Sequence, residues 1–350
     1  MGKLIKTYQQ LIITLLVSFA TIILLLLFGS GNPILSIRAF FIMPLSNRFF
    51  LGNLLESAGY MYLAGLGVSL AFRSGSFNLG GEGQVYTGAF FTALVLTLLP
   101  GTLGMIGLIF GLGIGLLAGG LLAGISALLK KSLGINDLIS SYLLSLGLIP
   151  VYDSLIAGPL RDSSVNLLTT RRIPSEFWLS KILPPSQLHS GILLSLLLGF
   201  LGWWLLWHTR LGYRLRLSGS NPLAAKLSGI PADQITLGAF TLSGAFHGLA
   251  GSLAVLGTHH AALVGITAGV GWNGIAAALI GRSHPLGTLF GALLFAYLQA
   301  GSRSAMIHTR FSSELAIVVQ GLVLLLVTAQ LIRPKKTLSL PEGTKEQSLS

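Results

Sequence analysis

The chain has 350 residues, of which 52% are apolar and only 9% are charged. Soluble domains carry about 25% charged residues, so this composition excludes an ordinary water-soluble enzyme. The net charge is +12, but the basic residues lie between long apolar blocks, which is typical of helical membrane proteins whose cations contact anionic lipid rather than nucleic acid. We therefore predict an all-α, polytopic helical membrane protein.

Apolar blocks of about 20 residues, the length of a bilayer-spanning helix, recur along the chain. They predict ten transmembrane spans, at 10–29, 52–72, 83–99, 102–129, 135–157, 189–208, 233–257, 266–281, 286–303 and 313–332. Most of the basic residues fall on one side of this arrangement, so the positive-inside rule places the N- and C-termini in the cytoplasm. The predicted organisation is one transmembrane domain at 1–335, with an extracytoplasmic loop at 158–188, a basic cytoplasmic loop at 209–232 and a polar cytoplasmic tail at 336–350.

Residues 71–89 join two predicted spans and contain five glycines together with Asn78, Glu82 and Gln84. This much glycine disfavours a continuous helix, and a broken helix at membrane depth is tolerated only inside protein or beside a watery cavity. A carboxylate such as Glu82 is costly there and is a candidate functional group. Two compatible interpretations stay open: Glu82 caps a following helix at its N-terminal amides, with Asn78 as a turn residue, or it lines a cavity.

Glycines spaced four residues apart mark helix faces that we expect to pack closely. They are Gly107, Gly111, Gly115 and Gly119 in the fourth predicted span, Gly244 and Gly248 in the seventh, and Gly287 and Gly291 in the ninth. Small residues let helix backbones approach each other inside a membrane. The spacing therefore predicts helix packing rather than a nucleotide-binding loop.

The basic loop at 209–232 contains the sequence signals of a short helix. Asn221 is a good N-cap, Pro222 suits the first helical position and Gly229 suits the C-terminal end, which predicts a helix over 222–228. Such a helix is not needed merely to connect two spans, so it is a candidate for docking into a partner's groove. The alternative is a connector helix held at the membrane surface by Arg214 and Arg216.

Residues 271–291 form a second glycine-interrupted stretch, which includes Trp272 and Asn273. The eighth predicted span within it is short, as is the stretch at 77–90. Two short, interrupted segments in corresponding halves of a chain suggest an internal inverted repeat, with a site near the membrane midplane.

The sequence contains no P-loop, no Gly-x-Ser-x-Gly elbow, no His-Glu-x-x-His pair and no cysteine. These absences exclude the nucleotide-binding and hydrolytic sites that those motifs define, and they exclude thiolate metal sites. Glu56, Asp137 and Asp153 lie near predicted span ends and are interpreted as interfacial or helix-start residues. We expect no catalytic residue, metal or cofactor in this chain.

Several stretches, taken in order and at their separations, carry a resemblance to a known family. They are 71–84, 219–230, 274–281 and 313–321. Together they resemble the permease subunits of ATP-binding cassette (ABC) importers for nucleosides and simple sugars, within the ribose and branched-chain amino acid permease superfamily. The block from Phe77 to Gln84 looks like the nucleoside-type subgroup, whereas Asp137 and Ser145 depart from the residues that relatives often carry.

The resemblance implies a translocation subunit that performs no bond chemistry and works by alternating access, powered by a separate ATPase that holds the ATP and Mg²⁺. The implied partners are that ABC ATPase, a second and non-identical permease, and an extracytoplasmic substrate-binding protein, in a bacterial cytoplasmic (inner) membrane. The implied substrate-pathway residues are Phe77, Asn78, Glu82, Gln84, Trp272 and Asn273. The implied ATPase-coupling residues are Arg214, Asn221, Pro222, Ala224, Ala225 and Gly229.

Two other classes of protein compete with this hypothesis. In an ion-coupled secondary transporter or channel, Glu82 or Asp137 would hold the proton or cation, and transport would persist without an ATPase. The short cytoplasmic helix argues against that alternative. An intramembrane enzyme would need a nucleophile, base or metal constellation within the spans, and none is found in the sequence.

Overall fold

The structure, a computed structural model, describes residues 16–17, 19–28, 31–309, 312, 315, 317–318, 320–322 and 325. Most of these residues are helical. The helices are α1 (Phe19–Phe28), α2 (Pro33–Phe41), α3 (Arg48–Arg73), α4 (Gly81–Leu98), α5 (Gly104–Leu133), α6 (Asp137–Ala157), α7 (Gly191–His208), α8 (Arg210–Ser220), α9 (Pro222–Leu227), α10 (Ala232–Ala254), α11 (Val270–Ile280) and α12 (Pro285–His308).

Within the described ranges, five helices are long and apolar enough to cross a membrane. They are α3, α5, α6, α7 and α10. This pattern fits a multi-pass membrane protein, while the count of ten spans, the side of each terminus and the inverted repeat stay predictions. The start of the first predicted span and most of the tenth, at 313–332, lie outside the described residues.

The predicted spans from the second to the seventh match α3 to α7 and α10 to within a few residues. The predicted break is confirmed, because residues 74–80 separate α3 from α4. The eighth span was predicted too long at 266–281, since the helix begins only at Val270. The preceding residues form turns, with positive φ at Gly265 and Gly269, so they cannot continue a helix.

Two helices were not predicted. The first, α2, has nine residues and begins at a capping Asn32 followed by Pro33; it is too short to register as a span. The second, α8, follows a capping Thr209 and carries basic residues and two glycines, so its composition resembles a loop. Its helical state depends on packing, since the Leu215 side chain is buried between α8 and its neighbours.

The central helices are α3 and α10, whose residues are mostly buried, whereas α5, α6 and α7 leave most of their residues on the surface. The most extensive packing between two helices joins α10 to α5, and it includes close contacts between glycines. A Cβ on Gly119 would lie 2.7 Å from the Gly248 Cα, and a Cβ on Gly248 would lie 2.9 Å from the Gly119 Cα. The predicted close packing of glycines is therefore confirmed as backbone contact at Gly115, Gly119, Gly244 and Gly248. Gly107 and Gly111 instead make room for the side chains of Phe177 and Leu96.

We expect Gly248→Ala to lower the stability of the purified protein by about 1–3 kcal/mol, because the added methyl must push α5 away from α10. Thermal unfolding in detergent measures this change. Gly238→Ala is the matched control on the same helix, since a Cβ there meets no atom within 4 Å, and it should be neutral or stabilising by about 0.5–1 kcal/mol. Equal stability of the two variants would contradict the packing.

Candidate functional site

Glu82 joins the beginnings of two helices. It lies in the first turn of α4, and its side chain is only 9% exposed. One carboxylate oxygen accepts a hydrogen bond from the Gly269 N–H at 2.9 Å, and the other accepts one from the Gly271 N–H at 2.8 Å. Glu82 thus caps α11 at its N-cap residue Gly269, which lies 187 residues further along the chain, and the helix dipole favours a negative charge there.

The Glu82 contact depends on a very close approach of α4 and α11. A Cβ on Gly271 would lie 2.6 Å from the Glu82 Cα, and Gly269 has a φ of +79°. Glycine is required at both positions, at one for space and at the other for the left-handed backbone. We call this arrangement of Glu82 with Gly269 and Gly271 the α4–α11 tie.

Asn78 and Gln84 pair with each other inside the bundle. The Asn78 Nδ2 donates to the Gln84 Oε1 at 2.8 Å, and the Gln84 Nε2 donates to the Asn78 Oδ1 at 3.0 Å. Asn78 also donates to the Ser243 hydroxyl of α10 and accepts from the Gly80 N–H. Both side chains are buried, so the pair holds residues 78–84 in shape, and contact with a substrate stays a prediction for both.

We expect Gln84→Met to destabilise the protein by about 1–3 kcal/mol, because it removes two buried hydrogen bonds and leaves one N–H of the Asn78 amide without its acceptor. Methionine keeps the length of the side chain while removing its amide. Gln234→Met, at an exposed position of α10, is the control and should leave the unfolding temperature unchanged. If Gln84→Met unfolds at the wild-type temperature, the amide pair does not stabilise the junction.

α6 supplies two hydroxyls to the start of α4. The Ser145 Oγ accepts from the Gly83 N–H at 2.6 Å, and the Ser141 Oγ accepts from the Leu79 N–H at 3.2 Å. These bonds satisfy N–H groups around the start of α4, including one in its first turn, which has no partner within the helix. Ser141 was missed by the sequence analysis, although its spacing of four residues from Ser145 places both on one helix face.

The remaining predicted pathway residues lie on the surface of the chain around the same junction. Phe77 is 50% exposed and Trp272 is 43% exposed, and Asn273 is half-buried. The Phe77 ring contacts Phe72, and the Trp272 ring meets Tyr142 edge to face. The six predicted residues thus divide into a buried group and a surface group, and only the surface group is accessible to another molecule in this conformation.

The predicted short helix in the basic loop is confirmed as α9. The Asn221 side chain accepts from the Ala224 N–H at 3.0 Å, Pro222 occupies the first turn, and Gly229 has a φ of +72°. Ala225 is buried, which fixes α9 on the body of the protein, while the Leu223 and Leu227 side chains are 68% and 81% exposed. Arg214, on α8, is also exposed. The helix presents an apolar outer face.

A chain of contacts leads from α9 to the α4–α11 tie. α8 packs against α9, and a Cβ on Gly75 would lie 3.2 Å from the Gly219 Cα of α8. Gly75 belongs to the connection that leads directly into α4 and Glu82. α9, α8 and the connection that leads to Glu82 are therefore in continuous contact.

Arg73 holds the other side of this connection. Its guanidinium donates to the carbonyls of Arg282 and Ser283, each at 3.0 Å, and both of those residues have positive φ. It also lies over the Trp207 ring. Burial lowers the pKa of His284, and the positive charge of Arg73 lowers it further. The turn between α11 and α12 is thereby fixed to the end of α3.

A cavity of about 410 Å³ opens beside α9, between the α3–α4 connection, the end of α5 and the starts of α6 and α10. Asp137 begins α6, as predicted for a helix-start residue. Its carboxylate forms an ion pair with Lys130 at 2.8 Å. In the described part of the chain, no three His, Cys, Asp or Glu side chains come together as metal ligands would.

Comparisons with known proteins place the chain among permeases. The sequence pattern of the family described as branched-chain amino acid transport system / permease component matches residues 50–328. A probable riboflavin import permease of Treponema pallidum is 32% identical, over 92% of this chain and 85% of that protein.

Two guanosine ABC transporter permeases of Bacillus subtilis are also similar. NupP is 30% identical over 80% of this chain and 81% of its own length. NupQ is 29% identical over 69% of this chain and 78% of its own length. No solved structure matches the chain.

Proposed function

Because this chain belongs to the permease component family of branched-chain amino acid transport systems, and is a permease of an ABC importer, we propose that it imports a nucleoside. The observation that carries this substrate class is the similarity to two guanosine permeases over most of their lengths. The similarity to a riboflavin permease makes riboflavin the second candidate. Both molecules join a nitrogen heterocycle to a five-carbon polyol unit.

We infer that the working importer contains two different permeases. Two guanosine permeases from one organism resemble this chain, which supports a non-identical partner. An ABC ATPase binds α9 and supplies the ATP and Mg²⁺ chemistry, and an extracytoplasmic binding protein delivers the substrate. The similar permeases of Treponema pallidum and Bacillus subtilis come from bacteria, which supports a bacterial cytoplasmic membrane. The proposed topology keeps ten spans and both termini in the cytoplasm.

In this proposal the α4–α11 tie is the element that alternates between two states. Movement of the ATPase displaces α9, and the packed route through Gly219 and Gly75 carries that displacement to Glu82. Breaking the two hydrogen bonds of Glu82 separates α4 from α11, and reforming them closes the junction. The ATPase shifts this equilibrium only by binding one state more tightly than the other.

The ion-coupled alternative is not favoured by the family or by the contacts of its two candidate residues. Both oxygens of Glu82 accept backbone N–H groups, so in this conformation the carboxylate is engaged in joining α4 to α11. Asp137 is already paired with Lys130. Neither carboxylate is poised as an ion site.

Co-purification of the tagged chain from its native membrane tests the proposal. We expect a P-loop ATPase, a second permease and a binding protein to be recovered together. Calorimetry of that binding protein with guanosine, adenosine, uridine, riboflavin and glucose then identifies the substrate class, and we expect a nucleoside to bind. Recovery of the chain alone, or selective binding of glucose, would contradict the proposal.

A further inference from the structure

A second cavity lies at the opposite end of the bundle from α9. It has a volume of about 260 Å³ and lies between α3, α10 with the turn that follows it, α11 and α12. Glu56 belongs to its wall and lies on α3 seventeen residues before Arg73, roughly 25 Å away along the helix axis. The polar side chains of the wall include Asn53, Glu56, Thr258, His259, Gln299 and Arg303.

Glu56 is a buried carboxylate that is held by hydroxyls on one side only. It is 8% exposed, although the sequence suggested an interfacial residue. The Tyr60 hydroxyl donates to its Oε1 at 3.0 Å, and the Thr258 hydroxyl donates to the same atom. Among the described residues, none donates to Oε2. This oxygen is not one of the fully buried atoms that lack a partner, so it is accessible from the cavity whose wall includes Glu56.

The side chains that donate hydrogen bonds around Glu56 belong to one network. The His189 Nδ1 accepts from the Gly191 N–H at 3.1 Å, so its Nε2 carries the ring proton. That Nε2 lies 2.7 Å from the Tyr60 hydroxyl and donates to it. The Tyr60 hydroxyl in turn lies 3.0 Å from the Glu56 Oε1 and 2.8 Å from the Thr258 hydroxyl. The network orients the carboxylate before any ligand arrives.

The charges at and around Glu56 are of both signs, so they do not favour a second cation. Lys181 and Arg303 act electrostatically on Glu56, yet in the described part of the chain neither forms an ion pair with it. These cations oppose the binding of another cation, and the carboxylate opposes an anion. A neutral molecule with adjacent O–H or N–H donors can donate to Oε2, and a hydrogen bond to a charged acceptor contributes about 1.5–3 kcal/mol.

We propose that Glu56 binds the sugar hydroxyls of the transported nucleoside at a position in this cavity, before the substrate passes the α4–α11 tie. This inference rests on the proposed function. Ala268 and Val270 belong to the cavity wall, and they flank Gly269, whose N–H donates to Glu82. The bound sugar would therefore lie directly against the start of α11.

The test compares guanosine with 2′,3′-dideoxyguanosine in uptake by proteoliposomes that contain the complete importer. The specificity ratio of the two substrates is measured for the wild type, Glu56→Gln and the control Glu176→Gln, which makes the same change at an exposed position. All three importers contain the same binding protein, so its preference between the two substrates cancels when their specificity ratios are compared. We expect Glu56→Gln to lower guanosine uptake by about tenfold and to change dideoxyguanosine uptake by less than about twofold. The control should change neither.

Equal effects on both substrates, or no effect on either, would overturn the sugar-binding role while leaving nucleoside import intact. If the wild type transports neither substrate, the proposed function itself fails. If Glu56→Gln does not assemble with its partners, Glu56→Asp replaces it. The shorter carboxylate withdraws from the cavity, so this variant should also have a lower ratio of guanosine uptake to dideoxyguanosine uptake. A ratio equal to that of the wild type would overturn the proposal.

Discussion

Replacing Glu82 with glutamine is expected to reduce the initial rate of substrate uptake by at least about tenfold. The amide keeps one acceptor oxygen, but its NH₂ group then faces a backbone N–H that needs an acceptor. A hydrogen bond to a charged group contributes about 1.5–3 kcal/mol, and about 1.4 kcal/mol corresponds to a tenfold change in an equilibrium. The tie between α4 and α11 is therefore weakened enough to change which state is populated.

Uptake by the complete importer measures the effect of Glu82→Gln, with co-purification of the ATPase as the check on assembly. We expect assembly to persist, because Glu82 is buried and does not belong to the exposed face of α9. Glu176→Gln is again the matched control and should transport at the wild-type rate. Wild-type uptake by Glu82→Gln would show that the tie has no part in transport.

Replacing Leu227 with aspartate is expected to weaken ATPase binding by at least about 30-fold. The Leu227 side chain is 81% exposed in the isolated chain, so the substitution should leave the fold intact. If α9 enters a groove of the ATPase, this leucine becomes buried there, and a carboxylate would have to be desolvated without a partner. Loss of a central interface anchor costs about 2 kcal/mol or more.

Titration of the purified permease with the ATPase measures this affinity. Leu286→Asp is the control, because Leu286 is an exposed leucine in the first turn of α12, where a carboxylate is compatible with the helix dipole. It should bind the ATPase as the wild type does. Unchanged affinity in Leu227→Asp would exclude the outer face of α9 as the docking surface.

The helix ends and breaks that are set by residues close together in the sequence could be predicted. Asn221, Pro222 and Gly229 each act within one turn of α9. The structure shows Asn221 as the N-cap, Pro222 in the first turn and Gly229 with a positive φ just after the helix. The break before α4 likewise follows from its local glycines. The glycine face of α5 follows from helical spacing alone.

The contacts that define the site could not be predicted, because they join distant parts of the chain. Nothing near Glu82 indicates that its partners are Gly269 and Gly271. Glu56 was assigned to an interface because it lies near a span end, but α3 turns it inward, where Tyr60 and Thr258 hold it. Burial of a charged side chain in a bundle is decided by which helices surround it.

The measurement that tests the account most directly is guanosine uptake by proteoliposomes that contain this chain with its partner permease, ATPase and binding protein. The account predicts uptake only when ATP is available to the ATPase, with no change when ionophores collapse the ion gradients. Uptake that persists without ATP and stops when an ionophore is added would contradict it. Glu82 and Asp137 would then have to be reconsidered as ion sites.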